Sequence, residues 1–392
     1  MRVLMVSKAC VVGAYQRKLE EIAARDVELM VVVPPYWQEE SRRIPLESLH
    51  TRGYQLVVEP VRFNGRFHLF HFPHLATRVR EFRPDIVHAD EEPYNPATWH
   101  VLRLAQSAGA KSLFFTWQNL YRRYLPPFSW IEQRCFAMAD RAIAGNAEAV
   151  DVLRRKGYRK PVDVIPQFGV DPEIFRRVGK KGEVGSVKRE EGMGKGPSLS
   201  PTPPLPHSST HTFRIGFVGR LVEQKGLMDL VEAAAELREG YTLTLVGAGP
   251  MRAALEARAA DLGMADKLEI RGGVPSAEMP GIYNCMDALV LPSRTRPNWK
   301  EQFGRALVEA MACEVPVIGS DSGEIPHVIG DAGLVFPEGD VDALTHHLAS
   351  LRDSTDLRRQ LGAKARARVL YRFTQSSVAE QTFRVYQEML SS

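Results

Sequence analysis

The sequence predicts an α/β protein of two doubly wound, parallel-sheet, Rossmann-like domains, and three observations carry that prediction. Short apolar runs alternate with amphipathic stretches almost throughout, as strands do when helices cover both faces of a sheet. The alternation falls into two blocks separated by a stretch of different composition. At 392 residues the chain is also too long for one ordinary core.

In the first block the expected strands are Val3–Val6, Val27–Val33, Leu56–Val58, Asp85–His88, Ser112–Thr116, Arg141–Ala144 and Val162–Ile165. In the second they are Arg214–Val218, Thr242–Val246, Lys267–Ile270, Ala288–Leu291, Val315–Ile318 and Leu334–Phe336. Helical spacing lies between them over Leu227–Leu237, Met251–Leu262 and Arg305–Cys313. Gly179 to His211 is rich in Gly, Ser, Pro, Lys and Glu and offers too little apolar surface to bury. The expected division is therefore a domain over 1–177, a low-complexity linker over 178–212 and a second domain over 213–373. The tail from Tyr371 to Leu390 reads as one amphipathic helix with Phe383, Val385, Tyr386, Met389 and Leu390 on its apolar face.

Composition excludes several classes. With 44% hydrophobic and 25% charged residues the chain is neither disordered nor fibrous, and a net charge of +4 gives no footprint for nucleic acid. The basic runs Arg122-Arg123, Arg154-Arg155-Lys156 and Arg176-Arg177 read as solvated faces. Cys10, Cys135, Cys285 and Cys313 have no metal-ligand spacing and read as small buried hydrophobes, which suits a reducing cytoplasm. No apolar run reaches the length of a membrane span, so the expectation is a cytoplasmic protein, soluble or peripheral at the inner face of the membrane.

Two motifs carry chemistry. In Glu301-Gln302-Phe303-Gly304-Arg305-Ala306-Leu307-Val308-Glu309, two carboxylates eight positions apart bracket a glycine turn that leads into helical spacing. A helix starting there presents unpaired N–H groups to an anion, with one carboxylate ahead of it and one behind. Sugar, diphosphate and ribose have that layout. In Gly219-Arg220-Leu221-Val222-Glu223-Gln224-Lys225-Gly226 a strand ends at a glycine, and an Arg fork and a mobile Lys follow within one loop, which suits a diphosphate. Gly247-Ala248-Gly249-Pro250 superficially resembles a dinucleotide fingerprint, but it lacks the third glycine and reads as a tight strand–helix turn.

Together these residues resemble the retaining glycosyltransferases of family GT4, which have the GT-B fold. The resemblance continues through Pro292-Ser293, Ala310-Met311-Ala312, Pro316-Val317-Ile318 and Ser322-Gly323-Glu324-Ile325-Pro326, and reaches Ile165-Pro166-Gln167-Phe168-Gly169-Val170-Asp171 in the first block. It implies two domains facing across a cleft, with the final helix, 374–392, packing back on the first. It implies that Arg220 and Lys225 grip the donor diphosphate, that Glu301 binds the transferred sugar with the backbone of Phe303 and Gly304, and that Arg305 and Ala306 present N–H groups to phosphate. Glu309 would hold the ribose, Arg271 to Val274 would meet the base, and Gly13 would let the first loop approach the donor. The implied reaction moves a hexose-type sugar, with retention, from a UDP- or GDP-sugar to a hydroxyl acceptor. That acceptor would be a glycan, a lipid-linked sugar or a small molecule. No metal and no cofactor beyond the nucleotide sugar itself is expected. Arg220, Lys225 and Glu301 are the residues expected to carry catalysis.

One departure stands out. Where the family commonly has a His-Asp pair after Phe114-Phe115-Thr116, this chain has Trp117-Gln118-Asn119, so Gln118 brings hydrogen bonds to the donor sugar or acceptor but no titratable group. A nucleotide-sugar epimerase or a phosphorylase on the same fold is the second reading, though nothing signals the lysine-bound cofactor of a phosphorylase, and a nucleotide-sugar-binding protein without turnover, which Gln118 favours, is the third. Asp90-Glu91-Glu92 and Asn146-Ala147-Glu148 follow strands of the first block, and the acidic cluster is expected to line the acceptor side. Tyr121 to Trp130 mixes cations and aromatics and reads as helix packing with exposed Arg.

Overall fold

Runs such as Leu29–Val33 and Leu4–Val6 are apolar at every position, so they are stable only where both faces of the sheet are covered. The computed structural model, which describes residues 1–39, 43–66, 68–178 and 212–391, covers them in that way. The stretch Gly179 to His211, expected as linker, lies outside the described residues.

The first domain is a seven-stranded parallel sheet in the order Gln55–Val58, Glu28–Val33, Arg2–Val6, Ile86–Ala89, Lys111–Thr116, Arg141–Ala144, Val162–Val164. The second is a six-stranded parallel sheet in the order Leu268–Arg271, Tyr241–Val246, Phe213–Val218, Ala288–Leu291, Val317–Ser320, Leu334–Phe336. In each, the winding direction reverses beside the first strand, at Arg2–Val6 against Ile86–Ala89 and at Phe213–Val218 against Ala288–Leu291. Ligands of open α/β sheets bind in the crevice beyond the carboxyl ends of strands at such a reversal. The loops that leave those four strands carry Gly13, the acidic cluster, the Arg220–Lys225 segment and Glu301. Topology alone thus gathers the candidate residues.

Two expectations change. The strand expected from Val315 runs over Val317–Ser320 instead, because Pro316 has no N–H to donate to a ladder. The tail helix does not reach back to Tyr371 as its apolar spacing suggests: Thr355–Arg372 ends, and Gln375–Ser391, close to the expected 374–392, begins after Phe373 and Thr374. At this break Gly169 lies so close that a Cβ would meet the Thr374 carbonyl carbon at 2.4 Å, and Val170 N–H donates to the Phe373 carbonyl while its own carbonyl accepts from Gln375 N–H.

The last helix packs on the first domain, where Val378, Ala379, Val385, Tyr386 and Met389 join the core beneath Val3, Met5 and Val31. Leu390 lies on the exposed side, contrary to its expected place on the apolar face. The Tyr386 hydroxyl meets His88 Nδ1 at 2.7 Å in the buried layer. Burial pushes the His88 imidazole down to about 4. The unfolded chain therefore takes up this proton first, and stability is lost as pH falls from about 6.5 toward 4 and is flat above that window. Tyr386→Phe leaves the ring nitrogen without a partner, and we expect it to cost about 1–3 kcal/mol in a urea melt at pH 7. An unchanged midpoint would show that this bond does not stabilise the tail.

Candidate functional site

The Phe213–Val218 strand must turn sharply to reach the next helix. Gly219, at φ 155°, and Gly247, at φ 151°, allow two adjacent turns to touch, since a Cβ on Gly247 would lie 1.8 Å from the Gly219 carbonyl oxygen. Leu221 N–H donates to the Ala248 carbonyl at 2.9 Å, and Met251 N–H donates to the Leu221 carbonyl at 3.1 Å. The Gly247-Ala248-Gly249 turn is thus the wall that shapes the Arg220 loop. Arg220 stands exposed, with no side-chain hydrogen bond or ion pair among the described residues.

The helix Arg305–Ala312 starts directly after Gly304, whose φ of 76° is left-handed and where a Cβ would crowd Leu307 and Leu291 at 3.0 and 3.1 Å. Its first turn carries the unpaired N–H groups expected of a helix start, on Arg305 and Ala306. Glu301 lies just ahead, 8% exposed. Its carboxylate pairs with Lys225 Nζ and accepts from Ser293 Oγ at 3.0 Å. Lys225 Nζ also sits 5.1 Å from the centre of the Trp299 ring. The Glu301 carbonyl accepts from Glu324 N–H at 3.2 Å, where Gly323 at φ 54° leaves room for it.

Glu309, on the following turn, is 4% exposed. One oxygen accepts from Tyr283 Oη at 2.7 Å, and the other accepts from Arg305 Nε at 2.6 Å. Burial and then the neighbouring Glu309 push the Tyr283 phenol well above its ordinary range, so it stays a neutral donor. Burial works most strongly against the Arg305 cation, but Glu309, Tyr15 and Tyr283 together outweigh it and the pKa moves up.

The first domain closes the other side. Arg305 Nη1 reaches Tyr15 Oη at 2.6 Å, and Tyr15 stacks on Phe168 with ring centres 3.7 Å apart. Asn119 Nδ2 donates to the Glu301 carbonyl at 3.0 Å, Asn146 Nδ2 to the Gln302 carbonyl at 2.9 Å, and Gln302 Nε2 to the Trp117 carbonyl at 3.0 Å. Glu148 pairs with Lys300, and Phe303 packs between Trp117 and Phe373. Gly13 is buried, its N–H donates to Glu47 at 2.7 Å, and a Cβ there would strike Leu49. Gln118 donates to Tyr124 Oη at 3.1 Å and accepts from Lys156 Nζ at 3.0 Å.

The structure therefore brings Arg220, Lys225, Glu301, Phe303, Gly304, Arg305, Ala306 and Glu309 to one side of the cleft, with Gln118 and Gly13 contributed by the facing domain. Arg271 and Val274 lie at the end of a strand beside Gly247. The Arg271 carbonyl already accepts from Gly247 N–H at 2.9 Å, its side chain pairs with Glu269, and Gly272 and Gly273 have open space around them.

Several residues escaped sequence reasoning. Tyr15, Tyr283 and Trp299 have no motif, and only their contacts reveal them; Ser293 lies in the Pro292-Ser293 motif, but its bond to Glu301 is visible only in the structure. Lys156, expected in a solvated basic run, is buried against Glu132 and Gln118. Its partners Glu132, Gln118 and Tyr124 lie far along the chain and give no local sign of this. Among the described residues no helix is long and apolar enough to cross a membrane.

Comparison with known proteins gives the site a context. Residues 207–368 match the family model Glycosyl transferases group 1, and residues 16–174 match Glycosyltransferase Family 4. A 2-deoxystreptamine glucosyltransferase of Streptomyces kanamyceticus is 32% identical over 175 residues, covering 44% of this chain and 40% of that one. A GDP-mannose-dependent alpha-(1-6)-phosphatidylinositol monomannoside mannosyltransferase of Mycolicibacterium smegmatis is 36% identical over 141 residues, covering 34% of this chain and 37% of that one. The match thus spans about two-fifths of the length of these curated relatives. In three dimensions, Anabaena HepE in complex with UDP and glucose superposes with a TM-score of 0.65 at 18% identity, covering 99% of this chain and all of that one. At that identity the likeness shows the fold.

Proposed function

The chain belongs to the GT4-type glycosyltransferases of the GT-B fold, with one family match on each domain, and from that premise we propose that it moves a hexose-type sugar from a nucleotide-diphosphate sugar to a hydroxyl acceptor. One observation carries the reading: two carboxylates, each at least nine-tenths buried, flank a single helix start, and Lys225 pairs with the leading one. Buried acids with cations beside an anion-binding helix end suit a ligand that alternates hydroxyls and phosphates.

In this reading Glu301 binds the transferred sugar, Arg220 and Lys225 bind the diphosphate, and Glu309 binds the ribose. The carbonyls and N–H groups from Arg271 to Val274 meet the base. As the anomeric C–O bond breaks, negative charge builds on the β-phosphate oxygens, and the two cations and the helix N–H groups hold that charge more tightly than the ground state. The leaving phosphate takes the acceptor proton, so Gln118 needs only to hydrogen-bond, and transfer proceeds with retention. The mycobacterial relative named above uses GDP-mannose and the Anabaena structure holds UDP, which supports UDP- and GDP-sugars as the donors to try.

The test is release of nucleoside diphosphate from UDP- and GDP-sugars, with and without sugar and cyclitol acceptors, for the wild type and Glu301→Gln. We expect acceptor-stimulated release in the wild type and a loss of about 10²-fold or more in the variant. Tight nucleotide binding without turnover on any acceptor would favour the binding-protein reading that Gln118 motivates.

A further inference from the structure

The acidic triplet after Ile86–Ala89 divides in the structure. Asp90 accepts from Ser7 Oγ at 2.7 Å and lies 3.8 Å from Lys18 Nζ, and Glu91 pairs with Lys8. Glu92 has no ion pair among the described residues. Among the described residues its oxygens accept only from Thr116 Oγ1 at 2.6 Å and Trp117 N–H at 2.8 Å, which leaves lone pairs for a ligand. Glu92 alone of the three lines a cavity of about 150 Å³ between the domains. Tyr94, Tyr124 and Trp299 supply aromatic faces to that cavity, and Gln118 and Asn119 supply amides.

The cavity is joined to the donor side. Trp299 carries Lys225 on its ring and Asn119 holds the Glu301 carbonyl, so a ring in the cavity lies beside the residues assigned to the donor sugar. A fixed polar chain supports its wall, from Glu132 through Lys156 and Gln118 to Tyr124, whose ring packs 4.6 Å from Tyr94. Such a volume is well below that of a drug-sized ligand and suits one small ring.

We propose that this cavity is the acceptor subsite and that Glu92 is its selecting residue, accepting hydrogen bonds from the hydroxyls of a neutral sugar or cyclitol ring stacked on Tyr94, Tyr124 and Trp299. The proposal rests on the glycosyl-transfer reading. Arg122 and Lys300 on the cavity wall disfavour an ammonium-bearing ring. Burial pushes the Glu92 carboxyl up to about 7, against the pull of Thr116, Trp117 and Lys8, and Glu91 adds to the rise. The groups facing it are Lys8 and Glu91 on one side and Tyr94, Tyr124 and Arg122 across the cavity. Charge-assisted binding of hydroxyls is therefore present above this value and weakens as pH falls through it.

The test is saturation-transfer NMR of glucose and glucosamine on the full chain loaded with UDP or GDP, for the wild type and Glu92→Gln, at pH 6 and 8. Nucleotide affinity is measured alongside. We expect glucose binding in preference to glucosamine, weaker at pH 6, and lowered about tenfold or more in Glu92→Gln, where the pH dependence disappears and nucleotide affinity is retained. Absent glucose binding, binding that Glu92→Gln leaves unchanged, or preference for glucosamine overturns the subsite. Failure of the wild type to bind either nucleotide overturns the underlying functional reading instead.

Discussion

Lys225→Ala lowers kcat/KM by about 10²–10³-fold, most of it in kcat, because the ammonium meets charge that grows only as the donor bond breaks. In the structure this cation is held by Glu301 and by the face of Trp299, ready to shift to a phosphate. Removing it also strands a carboxylate that is 8% exposed, with Ser293 as its remaining side-chain donor. A stability loss could then mimic a catalytic one, so Lys225→Met is the companion variant: its stem still packs on Trp299 and only the charge goes. Combining Lys225→Met with Glu301→Gln relieves the unpaired charge and restores the melting temperature while activity stays low. Steady-state kinetics and thermal melts on the three variants check this, and turnover near the wild-type rate in Lys225→Met sinks the diphosphate assignment.

Truncation after Phe373 abolishes folding of the first domain. The final helix supplies Val378, Ala379, Val385, Tyr386 and Met389 to a core otherwise made of the sheet and the Arg17–Ala23 helix. Each larger apolar side chain contributes about 1.5–3 kcal/mol when buried. Their sum rivals the entire stability of a typical domain, about 5–15 kcal/mol. Gln375 adds bonds from its side-chain amide to the carbonyls of Ala14 and Gly169 at 3.1 and 2.9 Å, close to the Tyr15–Phe168 stack that faces Arg305. Expression and a denaturant melt of residues 1–373 are the check. A soluble product with a cooperative transition like that of the full chain would show that the tail only decorates the first domain.

Much of this was legible because it is local. Short apolar runs alternating with amphipathic stretches marked the strands within a residue or two, and Gly304 placed the helix start on which Glu301 and Glu309 depend. The antiparallel pair Tyr36–Gln38 and Arg43–Ile44–Pro45 was missed, since three-residue strands are too short to show alternation. The apolar spacing of the tail alone ran back to Tyr371 for a different reason: it continues through Phe373 and Thr374, where contact with Gly169 and Val170 imposes the turn.

The site was half legible. Carboxylates, cations and glycines in a fixed spacing announce themselves, but their partners come from far along the chain. Tyr283 reaches Glu309 from another helix, Tyr15 reaches Arg305 from the other domain, and neither sits in a distinctive pattern. Glu92 was one of three adjacent acids in the sequence. Only the positions of Lys8 and Lys18 separate it from its neighbours.

Both oxygens of Glu309 are already engaged, by Tyr283 and Arg305. A ribose must therefore use the remaining lone pairs or displace the Arg305 guanidinium toward Tyr15. The most direct test is a crystal structure of the chain with UDP or GDP. The account predicts the diphosphate between Arg220, Lys225 and the start of the Arg305–Ala312 helix, with the ribose hydroxyls on Glu309 and the base along Arg271 to Val274. A nucleotide bound elsewhere, or one whose ribose leaves Glu309 untouched, would contradict it.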